Sequence, residues 1–323
     1  MRTISFVDAL VEAQKEEMER DESVFIMGED AGYSGGAFGA TAGLWERFGP
    51  ERVRDTPISE AAIMGAAVGA AIAGMRPVVE MQYMEFIPYM DALVNLAAKL
   101  HLMSGGQVRV PLVLRGPLGA KGANGAQHTQ NFEAWFVHTP GLLVAMPSTP
   151  YDAKGLLKTA IRDDNPVVFI EDKIIYFQLG EVPEDEYAIP FGQADIKRRG
   201  RDVTIIAMGI TVGRALKAAR LLASEGIEAE VIDPRTLVPL DIATLISSVR
   251  RTHHVVVAHQ APKTGGMGAE IAAQLQELAF DELDAPIVRV AGLDTPAPYY
   301  VGLEKLAMVY EEDIIAGVRR VLA

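Results

Sequence analysis

One acidic residue stands at the start of an otherwise small and apolar segment, TPISEAAIMGAAVGAAIAG, which covers residues 56–74. Ser59 is a suitable N-cap for a helix over 59–74, and Glu60 would then take its first position. The helix dipole favours an ionised carboxylate there, whereas apolar surroundings favour the protonated form. An acid held between these influences can give and take a proton near neutral pH. From position alone, Glu60 is either such a proton-transfer group or an ordinary first-turn residue exposed to water.

The glycines of the same predicted helix indicate close contact with another backbone. Gly65 and Gly69 are separated by three residues, and the surrounding alanines leave a nearly smooth face. Glycine costs about 1 kcal/mol relative to alanine in a helix interior, so a close contact must offset that cost. The partner is another element of this chain or a second subunit, and we favour a second subunit.

Two glycine-rich loops lie where a ligand site is expected in an α/β sheet. DAGYSGGAFGAT (30–41) and GPLGAKGANGAQ (116–127) follow predicted strands at 23–28 and 110–115. Ligands of such sheets bind beyond the carboxyl ends of the strands, and glycine lets backbone approach a ligand closely. The loops therefore either line a ligand site or only form tight turns.

The pattern along the chain predicts a two-domain α/β fold, in which each domain is a mostly parallel sheet covered by helices. The predicted helices lie at 5–20, 59–74, 86–103, 150–162, 212–225, 241–251, 268–279 and 310–322. Apolar strands separate them, but the polar stretch 177–200 shows no such alternation. We predict a first domain at 1–185, a linker at 186–200 and a second domain at 201–323.

Composition excludes several classes of site. The chain has 323 residues, no cysteine and a formal net charge of −13. Thiol nucleophiles, disulfides and zinc-thiolate centres are therefore excluded, and a nucleic-acid-binding face is disfavoured. The apolar run 61–75 is rich in alanine and glycine, which favours a buried helix over a membrane span. The first residues lack the layout of a signal peptide, so we expect a cytoplasmic protein.

Common self-contained catalytic motifs are absent from the sequence. There is no G-x-G-x-x-G after the first predicted strand, no P-loop, no G-x-S-x-G and no H-E-x-x-H. These motifs would have indicated a dinucleotide site, a nucleotide site, a nucleophile elbow and a zinc hydrolase. We therefore expect the chemistry to need a cofactor, a second chain or both.

Four stretches carry a resemblance to a known family. They are RVRDTPISEAAIMGAAVGAAIAGMRPVVEMQ (52–82), LHLMSGGQVRVPLVLRGPLG (100–119), AQHTQNFEAWFVHTPGL (126–142) and DPRTLVPLD (233–241). They resemble the β subunit of the E1 component of 2-oxo acid dehydrogenase complexes. This family includes the pyruvate, branched-chain 2-oxo acid and acetoin enzymes and depends on thiamine diphosphate. The resemblance covers nearly the whole chain and implies a transketolase-like pyrimidine-binding domain followed by a transketolase C-terminal domain.

The resemblance implies partners and a reaction. The family forms α₂β₂ heterotetramers with thiamine diphosphate at α/β interfaces, and the α subunit holds Mg²⁺ and the diphosphate through a G-D-G…N motif. This chain has no G-D-G, which fits a subunit that supplies only the pyrimidine end. The implied reaction is oxidative decarboxylation of a 2-oxo acid, or cleavage of acetoin, with acyl transfer to lipoyl groups. The lipoyl acyltransferase E2 would dock on the C-terminal domain.

The resemblance also assigns roles to particular residues. Glu60 would hydrogen-bond N1′ of the aminopyrimidine and promote the imino form that deprotonates C2 of the thiazolium. Glu29 corresponds to an acid near that glutamate, Phe86 to the aromatic that stacks on the aminopyrimidine, and Gln82 would line the same pocket. His128 corresponds to an active-site histidine that contacts the substrate or assists lipoyl acylation.

A monovalent cation, often K⁺, is bound in the family largely by backbone carbonyls. Leu112, Ala160, Asp163 and Asn165 fall at those positions, and TAIRDDNP fits a helix C-terminus whose free carbonyls suit a cation. One departure is Gln260, where many relatives have glutamate. It weakens assignment to the pyruvate or branched-chain branch.

Two other functions stay open. A split transketolase-like or synthase-like thiamine enzyme would pass the two-carbon unit to an aldehyde instead of a lipoyl group. A non-catalytic assembly subunit would keep only the fold. The presence of Glu60, Phe86 and His128 argues against the second alternative.

Overall fold

The computed structural model describes residues 1–120 and 122–323, which form two compact units. The first unit comprises Met1–Leu118 and Trp135–Phe191, and the second comprises Gly119–Ala134 and Gly192–Ala323. The short segment 119–134, which contains most of the second glycine-rich loop, thus clusters with the second unit although it lies early in the chain.

The first unit is built on a parallel sheet. Its strands are β1 Arg2–Ser5, β2 Val24–Gly28, β3 Val53–Asp55, β4 Arg76–Glu80, β5 Val113–Leu118, β6 Leu143–Ala145, β7 Val167–Asp172 and β8 Leu179–Val182. Strands β2 to β7 pair in parallel in the order β6-β7-β5-β4-β2-β3, and β1 pairs antiparallel with β8. Because helices cover both faces, β2, β5 and β7 are buried along their whole length.

The helices up to residue 191 confirm most of the predicted positions, with one difference. They are α1 Phe6–Arg20, α2 Leu44–Phe48, α3 Glu60–Ile72, α4 Leu100–Met103, α5 Glu133–Val137 and α6 Pro150–Arg162. The single helix predicted at 86–103 is wrong. It is a 3₁₀ turn at Ile87–Tyr89, a π-helix at Ala92–Ala97 and the short α4. Pro88 lacks a backbone N–H, so it suits a first turn and not the interior of a continuous helix.

The second unit is a smaller sheet that is parallel except at one edge. Its elements are β9 Asp195–Arg198, β10 Val203–Ala207, α7 Ile210–Ala223, β11 Ala229–Asp233, β12 Thr236–Val238, α8 Ile242–Thr252, β13 Val255–Pro262, α9 Met267–Ala279, β14 Val288–Gly292, α10 Val301–Ala307 and α11 Glu311–Val321. The sheet order is β14-β13-β10-β11-β9, with β9 antiparallel to β11. The predicted linker at 186–200 therefore contains an edge strand. Its half-exposed residues leave no continuous apolar run that would reveal it.

The two sheets confirm the predicted α/β class. Apolar residues of β10, β11 and β13 form a core with α7 and α11. In the described residues, 1–120 and 122–323, no helix combines the length and apolar character needed to cross a membrane.

His259 on β13 is a buried histidine with an unusual environment. Its side chain is fully inaccessible, and neither ring nitrogen has a hydrogen-bond partner among the described residues. Gly266 and Gly268, where α9 begins, pack against the ring, and a Cβ at Gly268 would lie 2.7 Å from it. Burial lowers the pKa of His259 to about 4, and the positive charge of Arg289 acts in the same direction.

The second unit should therefore lose stability in mild acid. Between about pH 6.5, where histidine titrates in an unfolded chain, and pH 4, the unfolded state binds more protons than the folded state. Lowering the pH from 7 to 5 should cost about 2 kcal/mol of unfolding free energy through this residue. Urea unfolding of wild type and His259→Gln at both pH values measures it, with the exposed His138→Gln as control. An equal pH dependence in all three proteins would contradict the expectation.

Candidate active site

Glu60 begins α3 as predicted, at the carboxyl end of the sheet. Ser59 takes the N-cap position, but its hydroxyl does not cap the helix, so the first-turn N–H groups are not satisfied by that side chain. The carboxylate is half-buried, not fully exposed. Its position combines the favourable dipole of a 13-residue helix with partial shelter from water.

Glu29 brings a second carboxyl to the same place. It follows β2 directly and is 5% exposed. Burial raises the pKa of Glu29, and the nearby charges of Glu60 and Asp30 raise it further. Within the described residues, Glu29 Oε1 and the buried Thr56 Oγ1 have no hydrogen-bond partner, and the Thr56 backbone N–H donates to the carbonyl of Gly28 at 3.0 Å. Two interacting acids and a free buried hydroxyl form a site suited to a polar ligand.

The first glycine-rich loop is folded tightly at this edge. The Asp55 carboxylate accepts backbone N–H groups of Gly32 at 2.6 Å and Tyr33 at 3.2 Å. Gly36 has φ +85°, and a Cβ there would lie 2.8 Å from Glu80 Oε1. Position 36 therefore needs glycine for two reasons: its backbone has a positive φ, and a Cβ would clash with the Glu80 carboxylate.

A buried ion cluster joins three neighbouring strands. Arg115 on β5 forms a bidentate pair with Glu171 on β7, with both N···O distances 2.7 Å, and a second ion pair with Glu80 on β4. The Tyr176 hydroxyl donates to Glu171. Burial raises the pKa of Glu80, and the charge of Glu171 adds to this effect while Arg115 opposes it. The cluster has two carboxyls and one guanidinium, so Glu80 is the group best placed to hold a proton.

Gln82 and Phe86 lie on the segment that follows β4, and both are half-buried. The 3₁₀ turn directly after Phe86 packs against α3, the helix that begins with Glu60. The Phe86 ring meets Tyr83 edge-on at a centroid distance of 5.6 Å, and Tyr83 meets Phe38 at 5.9 Å. Glu29 and Glu60 thus interact with each other, and Gln82 and Phe86 lie on the segment that follows β4, the strand next to β2 in the sheet.

His128 lies in the second unit, in the segment 119–134. It ends the 3₁₀ turn Ala126–His128 and is half-buried. The Glu304 carboxylate anchors the same segment by accepting the backbone N–H groups of Gly122 at 3.2 Å and Ala123 at 2.7 Å. Lys121 of this loop lies outside the described residues.

The predicted cation residues meet at the end of α6 and the adjoining strand ends. The Leu112 carbonyl accepts from Val167 N at 2.8 Å, and the Ala160 carbonyl accepts from Asp163 N at 3.4 Å. Asn165 donates from both its backbone and side chain to Asp163 Oδ1 at 2.8 Å. A cationic group already contacts this helix end, because the Arg76 guanidinium donates to the carbonyls of Ile161 at 3.1 Å and Asp163 at 2.9 Å.

One face of α3 is exposed. Gly65 and Gly69 are exposed, and apart from the adjacent backbone of α3 itself no described atom lies within 4 Å of a Cβ built on either. Ile72 is exposed on the same helix. The described part of this chain therefore supplies no backbone that packs on the glycine face.

Sequence reasoning missed the charged residues that hold this region together. The sequence pattern indicates neither the pairing of Arg115 with Glu171 nor that of Lys173 with Glu85. A charged residue inside an apolar strand was the available signal, because such a side chain is almost never buried unpaired. Such a residue indicates that a partner exists, but the sequence does not show which residue the partner is.

Comparison with known domains matches this architecture. Residues 2–178 match the transketolase pyrimidine-binding domain, and residues 192–314 match the transketolase C-terminal domain. A solved structure described as "Split gene transketolase, inactive beta4 tetramer" superposes with a TM-score of 0.82 at 25% identity, over 99% of this chain and 98% of that one.

Closer similarity is found among curated proteins. The chain is 50% identical over 319 residues to the pyruvate dehydrogenase E1 component subunit beta of Rickettsia felis, covering 98% of each chain. It is 48% identical over 323 residues to the 2-oxoisovalerate dehydrogenase subunit beta of Bacillus subtilis, covering 99% of this chain and 98% of the relative. It is also 48% identical over 318 residues to a mitochondrial pyruvate dehydrogenase E1 subunit beta-1 of Arabidopsis thaliana, covering 97% and 88%.

Proposed function

Because this chain belongs to the family of 2-oxo acid dehydrogenase E1 β subunits, we propose that it supplies the pyrimidine half of a thiamine diphosphate site in an E1 component. The observation that carries this proposal is the pair of interacting acids, Glu29 and Glu60, at the sheltered start of α3. The reaction is decarboxylation of a 2-oxo acid, or cleavage of acetoin, with transfer of the acyl unit to a lipoyl group.

The residues of the first unit fit an aminopyrimidine. Thr56 Oγ1 and Glu29 Oε1 are buried polar atoms that lack partners among the described residues, Glu60 offers a carboxyl, and Phe86 offers a half-buried aromatic face. When bound, thiamine diphosphate supplies the carbon nucleophile and electron sink that decarboxylation needs.

Each of these residues has a separate task in the proposal. Glu60 holds and moves a proton at N1′ of the aminopyrimidine, and Glu29 favours proton retention in the carboxyl pair because its own pKa is raised. Phe86 packs on the aminopyrimidine ring, and Gln82 lines the same pocket. His128 donates a hydrogen bond or proton to the substrate or the lipoyl group.

An α-type subunit completes the site in this proposal. It holds Mg²⁺ and the diphosphate, for which this chain has no G-D-G motif. The uncovered glycine face of α3 supports a close subunit contact, because burial against another backbone would offset the cost of the glycines. The lipoyl acyltransferase E2 would bind the C-terminal domain.

A split transketolase is the second candidate, because a solved relative of that kind shares the fold. Its identity to this chain is 25%, compared with 50% for the E1 β relatives. Transfer of the two-carbon unit to an aldehyde would distinguish it from E1 chemistry.

The direct test is co-expression with an E1 α chain, which is sought first in the neighbouring open reading frame. We expect an α₂β₂ complex that releases CO₂ and acylates a lipoyl domain only with thiamine diphosphate and Mg²⁺. Pyruvate, branched 2-oxo acids and acetoin are assayed in parallel to identify the substrate. Aldehyde-dependent turnover without lipoyl acylation would favour the transketolase alternative, and a complex without cofactor binding would favour an assembly role.

The same complex tests the proposed monovalent cation at Leu112, Ala160, Asp163 and Asn165. A cation that binds only the folded state raises its stability by mass action. We therefore expect thermal unfolding at a higher temperature in KCl than in choline chloride of equal ionic strength. Identical melting in the two salts would remove the cation from the proposal.

A further inference from the structure

Lys173 is a buried lysine that contacts the segment bearing Phe86. It begins the 3₁₀ turn Lys173–Phe177, directly after β7. Its side chain is fully inaccessible, and its ammonium pairs with the Glu85 carboxylate, which is also fully inaccessible. The same ammonium lies 4.8 Å from the ring centroid of Tyr83. None of the tasks proposed above uses this lysine.

Lys173 makes two contacts with the segment, one with Glu85 and one with Tyr83. A buried ammonium loses its hydration, so it stays charged only where an anion and other favourable contacts replace water. Glu85 supplies the anion, and the electron-rich face of Tyr83 supplies the second contact. Both partners therefore resist displacement, because moving either one would leave a buried charge less compensated.

Tyr83 passes this constraint to Phe86. The two rings meet edge-on at 5.6 Å with an interplanar angle of 65°. The Tyr83 ring also contacts Phe38, at a centroid distance of 5.9 Å. Phe38 in turn contacts the Tyr176 ring at 5.6 Å. Tyr176 in turn donates to Glu171 of the buried ion cluster. Phe86 is thus the half-exposed end of a row of aromatic rings anchored in buried charges.

We propose that Lys173 is a positioning residue that fixes Tyr83, and through it the Phe86 ring, in the orientation that receives the aminopyrimidine of thiamine diphosphate. This inference rests on the proposed function of the first unit. Because the Lys173 side chain is fully inaccessible, we expect it to act through the orientation of the Phe86 ring. Its loss should therefore change the affinity for thiamine diphosphate and not proton transfer by Glu60.

The test is Lys173→Met in the complete αβ complex, with thiamine diphosphate binding measured by isothermal titration calorimetry. We expect the dissociation constant to rise about three- to tenfold, as for loss of an aromatic contact. Turnover at saturating cofactor should stay near that of wild type, so the change appears in the KM for thiamine diphosphate and not in kcat. An unchanged dissociation constant would overturn the inference.

Tyr83→Leu gives a second route to the same result and leaves the Lys173–Glu85 ion pair in place. It should weaken cofactor binding by a similar factor, and the Lys173→Met/Tyr83→Leu double variant should be no weaker than either single variant. Additive losses would mean that the two residues act separately and would overturn the inference. If Lys173→Met folds poorly, Tyr83→Leu alone still tests the inference, because unchanged cofactor affinity in that variant would overturn it.

Lys154→Met is the matched structural control. Lys154 on α6 is equally buried and pairs with Glu12 at 3.1 Å and Glu16 at 2.6 Å on α1. Its loss should lower thermal stability without changing the affinity for thiamine diphosphate. Equal loss of affinity in this control would show that Lys173 acts only through general stability.

A further double variant, Lys173→Met/Glu85→Gln, removes both charges of the buried pair. If Lys173 only neutralised Glu85, this variant would regain wild-type affinity for thiamine diphosphate, and the positioning role would be wrong. We expect stability to recover and affinity to stay reduced, because the contact with Tyr83 is still missing. If wild type itself bound no thiamine diphosphate, the proposed function would fail, whereas normal binding by Lys173→Met defeats only this inference.

Discussion

Turnover of the αβ complex is expected to fall by about 10²- to 10⁴-fold when Glu60 is replaced by glutamine, the range for removing a positioned proton-transfer group. The amide keeps the size of the side chain and can still hydrogen-bond, but it cannot give or take a proton. Because Glu60 is half-buried at the first position of α3, the fold should tolerate the change. Steady-state decarboxylation at saturating thiamine diphosphate measures the effect.

Glu51→Gln is the matched control for this prediction. Glu51 has a side-chain exposure of 91% and forms an exposed 3.6 Å ion pair with Arg54, so its loss should leave turnover unchanged. Gel filtration should show the same assembly for both variants and wild type. Wild-type turnover in Glu60→Gln would mean that the carboxyl moves no proton in the reaction and would leave the assembly role as the better explanation.

Replacing Arg115 with methionine should have the largest effect on stability, a loss of about 3–5 kcal/mol, as expected when one partner of a buried ion pair is removed. The side chain is 1% exposed and is the shared partner of Glu80 and Glu171. Without it, two carboxyls remain buried with no positive charge between them. Urea unfolding of the isolated chain at pH 8 measures the loss.

The loss should also depend on pH in a definite direction. Burial raises the pKa of Glu80 and Arg115 opposes this effect, so removing Arg115 leaves the Glu80 pKa further above its unfolded value and the folded state binds more protons. The destabilisation should therefore be smaller at pH 5 than at pH 8. Arg109→Met is the control, because Arg109 has a side-chain exposure of 66% and its exposed pair with Asp164 is expected to contribute less than about 1 kcal/mol. A similar loss in both variants would contradict the importance of burial.

Local patterns in the sequence were sufficient to predict the helix and the strand that carry Glu60 and Glu29. The small residues and the Thr-Pro-Ile-Ser-Glu stretch placed Glu60 at the start of α3, and the structure has that helix at Glu60–Ile72. The apolar run before Glu29 predicted β2, because a strand buried on both faces has no polar alternation. Where the pattern was weak, prediction failed. The half-exposed edge strand β9 gave no apolar run, and Pro88 divided a segment whose periodicity suggested one helix.

The sequence by itself determined the α/β class, the order of most elements and, through a family resemblance, the residues expected at the cofactor. Only the tertiary structure decided which charges meet. Arg115 pairs with groups 35 and 56 residues away, and Lys173 pairs with Glu85 across 88 residues. The physical reason is that helix and strand formation depend on spacing over a few residues, whereas parallel strands join through long crossovers that bring distant side chains to one edge. The acid at position 60 is visible in the sequence, but the buried charges and rings that organise its surroundings are set by the packing of the sheet.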